Sequence, residues 1–192
     1  VVIRDNVAKG TYAGPAAAVL TGGRLTGSLI TGNLGGHAAP LAVSLNGSDA
    51  NFKAGLGPVM DHCLIVSNSM EAADGSCQGS VNVNVGHLHD CLIAWNTCPK
   101  GDTAGIRIGG AGAVVNNCTI ADNDSGGASA GGLYWNIQPL ARVVNCIVAG
   151  NKSTTGNCDW GKSATTKDAD LPKVFLDCLF DGSDIGGTNC KV

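Results

Sequence analysis

The sequence is poor in charged residues, and it lacks both long hydrophobic runs and long helical periodicity. Only 14% of its 192 residues are charged. No apolar run approaches the ~18 residues that a membrane helix needs, so we expect no insertion of this chain into a membrane. The net charge is −3 and no basic cluster is present, which argues against a nucleic-acid partner.

The sequence also lacks an initiator methionine and a signal peptide. Val1 already stands in the repeat described below. We therefore expect a single domain, residues 1–192, that is processed or excised from a longer chain or forms one subunit of a fibre.

The sequence does contain one motif that recurs along its whole length. The clearest copy is NNCTIADN, residues 116–123, and its counterparts follow at steps of 27 to 35 residues. Steps of this size are typical of repeat architectures. The cysteine of the motif defines a column that is occupied in order by Val1, Ser28, Cys63, Cys91, Cys118, Cys146 and Cys178.

A second column lies five residues after the first and is almost entirely asparagine. Asn tolerates the left-handed conformation of tight corners, and its amide can donate to one coil and accept from the next. Stacked copies should therefore form an asparagine ladder. The column holds Asn6, Asn33, Asn68, Asn96, Asn123, Asn151 and Ser183.

The segments between corners are short and rich in Val, Ile and Leu, and 29 glycines separate them. A repeat this small cannot bury its apolar face alone and becomes stable only when copies stack. We predict an all-β fold, a right-handed parallel β-helix solenoid of about seven coils. The handedness follows from the general preference for right-handed crossovers.

The motifs NNCTIADN with GGLYW (131–135), and VVNCIVAGN with NCDW (157–160), resemble the bacterial right-handed parallel β-helix repeat proteins. These include polymorphic outer-membrane proteins and adhesin-like passengers, whose FxxN segment is matched here by IVSN, IAWN and IADN. The resemblance covers essentially the whole chain. It implies a secreted or cell-surface location and a role in adhesion or extracellular structure.

The nine cysteines fall into two groups. Cys77 and Cys98 follow the Asn corners of adjacent coils and are the best candidates for a disulfide, while Cys158 and Cys190 occupy matching positions that either bridge or merely stack. No two cysteines have the short separation of a zinc knuckle, so we predict no metal and no cofactor. The others are expected to form a buried stack of thiols that act as small hydrophobes, namely Cys63, Cys91, Cys118, Cys146 and Cys178.

Two sets of polar residues could carry chemistry. Asp61 and His62 should stack on His89 and Asp90, and such pairs can act as a base and the group that orients it. No nucleophile is evidently placed with them, so we favour turn residues that exchange hydrogen bonds. No catalytic residue is predicted.

The second set is an outward column on the last strand of each coil, which we assign as Arg107, Tyr134, Asp159 and Lys191. With Trp135 and Trp160 nearby, it could bind a glycan through stacking and polar contacts. The competing interpretation is a solvated face on which these side chains pair across coils.

The column immediately after the cysteines is aliphatic and should face outward if its neighbours face inward. Exposed stripes of this kind mark contact surfaces, although the long loops could also fold over it. We therefore predict a non-enzymatic structural or adhesive module that self-associates through its ends or through this stripe. The alternative is a polysaccharide-acting lyase or hydrolase that uses the outward charged column. The stripe comprises Leu29, Leu64, Leu92, Ile147 and Leu179.

Overall fold

Parallel strands stacked in register build the chain into a β-solenoid of about 5 turns, as the computed structural model shows. The predicted all-β parallel architecture is confirmed. The structure describes residues 1–8, 14–36, 39–70, 77–126, 130–136, 140–153, 156–157, 159–163 and 175–180.

One face is a parallel sheet to which every copy of the repeat contributes one strand. The strands pair with equivalent residues opposite each other, as in Leu92 against Thr119. We call it the seven-strand sheet. It consists of β1 (Val2–Arg4), β4 (Leu29–Thr31), β8 (Leu64–Val66), β12 (Leu92–Ala94), β16 (Thr119–Ala121), β20 (Ile147–Ala149) and β25 (Leu179–Phe180).

The opposite side is a ten-stranded sheet, which we call the long-strand sheet. Its two longest strands each run from the end of one coil into the start of the next. In the other coils the same path is interrupted and two shorter strands take its place. The strands are β2 (Ala18–Leu20), β3 (Arg24–Thr26), β6 (Val43–Asn46), β7 (Val59–Asp61), β11 (Val81–His89), β15 (Ile106–Asn116), β18 (Leu133–Trp135), β19 (Arg142–Val144), β23 (Trp160–Lys162) and β24 (Phe175–Leu176).

Short strands close the remaining side of the solenoid in three small sheets. One helix, α1 (Asp49–Lys53), lies between β6 and β7, and among the described residues no helix has the length and apolar character needed to cross a membrane. The short strands are β5 (Leu34–Gly35), β9 (Ser69–Met70), β10 (Cys77–Gln78), β13 (Thr97–Cys98), β14 (Gly101–Thr103), β17 (Asp124–Ser125), β21 (Lys152–Ser153) and β22 (Gly156–Asn157).

The solenoid has fewer turns than the seven coils predicted from the repeat. The first copy contributes β1 to the seven-strand sheet, and the first described strand of the long-strand sheet, β2, comes only after it. The last copy is described only as far as Phe180. Counting copies of the motif therefore overestimates the number of complete turns.

Two left-handed corners flank each of the five strands from β4 to β20 in the seven-strand sheet. The first corner lies just before the cysteine column, where Asn117 and Asn145 have φ of 52° and 50°. At the second corner the left-handed residue precedes the Asn of the ladder, as Ser67 does with φ of 55°. The expectation that the ladder asparagines themselves adopt this conformation is wrong, because their side chains turn inward instead.

The interior is built from the inward columns that the repeat defines. Each fully buried Ile or Phe contributes about 1.5–3 kcal/mol relative to an exposed position. The column two residues after the cysteines is at most 1% exposed from the second strand onward, at Ile30, Ile65, Ile93, Ile120, Val148 and Phe180.

The asparagine ladder runs through this interior in one direction. Each side-chain oxygen accepts two hydrogen bonds from the Asn one coil earlier, one from its backbone N–H and one from its amide. In the middle of the ladder, Asn68 donates to Oδ1 of Asn96 over 2.9 Å and 3.0 Å. Five of the six described asparagines of the ladder are fully buried, namely Asn33, Asn68, Asn96, Asn123 and Asn151.

Candidate functional site

The aliphatic stripe lies on the outer surface of the seven-strand sheet. Register places the predicted residues in one line together with Val2 and Thr119. Leu64, Ile147 and Leu179 are 46–47% exposed, so the described parts of the loops do not fold over them. Leu29 and Leu92 are half-buried.

A second outward column of the same sheet, three residues after the cysteine column, is also uncharged from β4 to β20. From β4 to β20 it holds only small or apolar side chains, which keeps the surface flat beside the stripe. These residues are Thr31, Val66, Ala94, Ala121 and Ala149, of which Ala94 is only 1% exposed. We refer to the stripe and this column together as the apolar face.

The predicted ligand column is assembled only in part. Arg107 pairs with Tyr134 on the next coil, but the residue opposite Tyr134 is Gly161 rather than Asp159. Lys191 lies outside the described residues. Trp135, expected to stack on a ligand nearby, is fully buried, so these predictions for Asp159 and Trp135 are wrong.

Arg107 itself is engaged within the chain. Its Nε donates to Asp102 Oδ2 over 2.9 Å, and its Nη1 donates to Asn82 Oδ1 over 3.4 Å. Burial, and then the charge of Asp102, raise the pKa of the Tyr134 hydroxyl. This column corresponds more closely to the predicted face of mutually paired side chains than to an open ligand site.

Asp159 instead terminates the asparagine ladder. Its Oδ1 accepts from the backbone N–H and the side-chain amide of Asn151, both over 2.9 Å. Asp159 is only 1% exposed. A carboxylate here gives the last asparagine a charge-assisted acceptor, so its role is structural.

The two His–Asp pairs lie next to each other at the first corner. His62 Nδ1 lies 3.1 Å from Asp61 Oδ2, and His89 Nδ1 lies 2.8 Å from Asp90 Oδ2. Each imidazole Nε2 is 4.0 Å from the carboxylate of the other pair. Arg24 binds the buried carboxylate of Asp61 through two nitrogens.

The hydrogen-bond partners of these His and Asp side chains favour the interpretation that they are turn residues. His62 and Asp90 both adopt the left-handed conformation, with φ of 51° and 53°. The hydrogen bond from Arg24 is the main reason why the pKa of Asp61 lies well below its usual range. Among the residues described, no three His, Cys, Asp or Glu side chains converge on a possible metal position.

The cysteines divide as their positions suggested. Cys77 and Cys98 form a disulfide between adjacent coils. The predicted pair of Cys158 and Cys190 lies outside the described residues. The inward column contains free, buried thiols, and each sulfur points to the carbonyl two residues earlier, as Cys118 does to Asn116 over 3.2 Å.

Sequence reasoning missed Trp95. This residue occupies the second corner with φ of 55° and is 56% exposed. Thr97, two residues after this corner, lines a groove of about 500 Å³ together with Ser69 and Asp124, and Trp95 itself is not part of that lining. The sequence does contain a signal for this residue, because Trp95 is an aromatic residue in a corner column that is otherwise made of Asp, Gly and Ser.

Comparison with protein-family models, with curated proteins and with solved structures finds no match to this chain. The resemblance to bacterial surface β-helix proteins, and the extracellular location that it implies, therefore stay predictions.

Proposed function

We propose that this chain is a structural or adhesive β-solenoid module that associates with a second copy of itself through the apolar face. The observation that supports this is the line of aliphatic side chains on the outside of the seven-strand sheet, with Leu64 and Ile147 nearly half exposed. Contiguous exposed apolar surface of this kind marks interaction sites.

The shape of the face favours a flat partner with the same surface. It carries no charge from β4 to β20, so two copies can meet without burying an unpaired charge. Sheets that pack face to face lie about 10 Å apart with interleaved side chains. A second copy presents the same row of side chains at the same spacing.

The size of the face limits the strength of a single contact. Seven strands at ~4.8 Å and three residues at ~3.3 Å give roughly 34 Å by 10 Å, or ~340 Å² per copy. A stable interface buries about 800 Å² per partner. We therefore expect weak, reversible association, which becomes firm only when several modules are presented together.

Sedimentation velocity across roughly 10 μM to 1 mM protein tests the proposal, because weak contacts dissociate in this range. The wild-type chain should shift from monomer to dimer, and the double variant L64K/I147K should remain monomeric. L56K is the matched control, since Leu56 is 66% exposed but lies outside the apolar face. Circular dichroism should show the same fold in all three.

Two results would contradict the use of this face. One is a wild-type chain that stays monomeric up to ~1 mM, the top of the range in which this weak contact should form. The other is association that survives L64K/I147K, which would place the contact at the ends of the solenoid, as in the head-to-tail version. Of the four residues predicted for the outward column, the part of the chain that the structure describes places Arg107 and Tyr134 there, and this pair does not support the enzymatic alternative.

A further inference from the structure

Trp95 has a backbone conformation that its residue type does not favour. Its φ of 55° lies in the left-handed region, where bulky side chains are outliers. The other described members of this corner column suit the turn better, because Gly has no Cβ and Asp or Ser can hydrogen-bond locally. They are Asp5, Gly32, Ser67, Asp122 and Gly150.

Burial accounts for only part of this choice of residue. Trp95 is 56% exposed, whereas Trp135 is fully buried and Trp160 is half-buried against the core. More than half of the surface of Trp95 therefore lies in water, on a corner whose backbone conformation Trp does not favour. Strained backbone of this kind concentrates at ligand-binding positions.

The surface beside Trp95 provides both polar and apolar groups. Thr97 follows two residues later, within ~7 Å along an extended chain, and it lines the groove of about 500 Å³ together with Ser69 and Asp124. Met70 and Pro99 contribute apolar lining. Ligand sites typically combine an apolar surface with a few directed polar groups, and this volume lies in their usual range.

We propose that Trp95 and this groove bind an extended neutral oligosaccharide. The indole face offers a flat apolar platform for the C–H face of a pyranose ring. The hydroxyls of Ser69 and Thr97 can donate to or accept from sugar hydroxyls, and Asp124 can accept. Asp122 and Asp124 are both exposed, so they disfavour acidic sugars and phosphate-bearing ligands. This site is separate from self-association through the apolar face.

Calorimetric titration of the whole chain with cellohexaose, xylohexaose, mannohexaose and chitohexaose tests the proposal, with hexagalacturonate as the acidic comparator. At least one neutral oligosaccharide should bind with Kd of roughly 1 mM or tighter. W95A should weaken that binding by at least ~10-fold, W95F should retain part of it, and T97A should lower it several-fold. L56A, at an exposed leucine elsewhere, should change nothing.

The unfolding temperature of W95N separates a ligand platform from a structural residue. Asn tolerates the left-handed conformation better than Trp, so W95N should unfold at the same or a higher temperature while losing binding. A clear fall in unfolding temperature would show that Trp95 supports the fold, and would overturn the proposal.

Three other outcomes would also overturn the proposal. They are no binding to any neutral member of the panel, equal binding by wild type and W95A, and binding of hexagalacturonate alone. Loss of dimer formation in W95A would assign Trp95 to the protein–protein contact instead. Because the variants L64K/I147K and W95A touch different surfaces, failure of one proposal is distinguishable from failure of the other.

Discussion

Replacing Asn96 by Ala should be among the most damaging single changes in this chain. The Asn96 side chain accepts two hydrogen bonds from Asn68 and donates to the Ile65 carbonyl over 3.0 Å and to Asn123 Oδ1 over 2.9 Å. Both Asn68 and Asn96 are fully buried. After the substitution, the Asn68 backbone N–H loses its acceptor inside the solenoid.

The expected cost follows from the groups left behind. A buried polar group without a partner costs about 1–3 kcal/mol, and the other lost hydrogen bonds contribute about 1 kcal/mol each. Some of these groups keep a second partner, so N96A should lower the free energy of unfolding by about 3–5 kcal/mol. Urea unfolding followed by circular dichroism measures this loss, provided that the slope of the transition is unchanged.

N6A is the matched control, because Asn6 is exposed at the start of the same ladder. Its amide donates to Asn33 Oδ1 over 2.9 Å, but the Asn6 backbone N–H still serves that oxygen in the variant. We expect a loss of about 1 kcal/mol or less. Equal losses in N96A and N6A would refute the view that burial of the ladder sets its contribution.

Three further predictions concern the end of the ladder, the first corner and the disulfide. D159A should lower the free energy of unfolding in urea by about 2–4 kcal/mol, because two donors of Asn151 lose their acceptor. D159N keeps an oxygen at this position and should lower it by about 1 kcal/mol. A larger loss in D159N than in D159A would contradict the role of Asp159 at the end of the ladder. Arg24 holds the pKa of Asp61 below its unfolded value, so this group stabilises the fold above about pH 4 and the stabilisation is lost as the pH falls further. R24Q should therefore lower stability at pH 7 and flatten the loss below pH 4 in acid titrations of the unfolding free energy, and an unchanged acid profile would exclude this role. C77A/C98A should lower the unfolding free energy by about 3 kcal/mol, because the disulfide restricts the unfolded chain across a separation of 21 residues. Adding reductant to the wild type should give the same loss.

Several features of this fold were determined by sequence alone, and all of them depend on the repeat. The cysteine, isoleucine and asparagine columns and the outward stripe follow once equivalent residues stack one coil above another. Parallel pairing then fixes what each residue meets, as with Leu64 against Leu92. Alternation along a strand decides whether that position faces the core or water.

Only the tertiary structure decided where the chain leaves its repeat. After Asn151 the strands β21 and β22 pair in an antiparallel hairpin, which returns the chain so that Asp159 meets Asn151 eight residues earlier. Counting positions from the cysteine column places Asp159 on the outside, because the count takes no account of such a reversal. Likewise, the pairing of Arg24 with Asp61, 37 residues apart, joins two different columns on neighbouring strands.

The exposure of Trp95 was likewise decided only by the tertiary structure. The sequence shows an aromatic residue beside a ladder asparagine, which is equally consistent with packing into the core. The left-handed corner directs the Asn96 side chain inward and leaves Trp95 in solvent. Repetition along the chain thus defines the ladders and the apolar face, whereas the loops, whose geometry depends on contacts between coils, define the groove that follows Trp95.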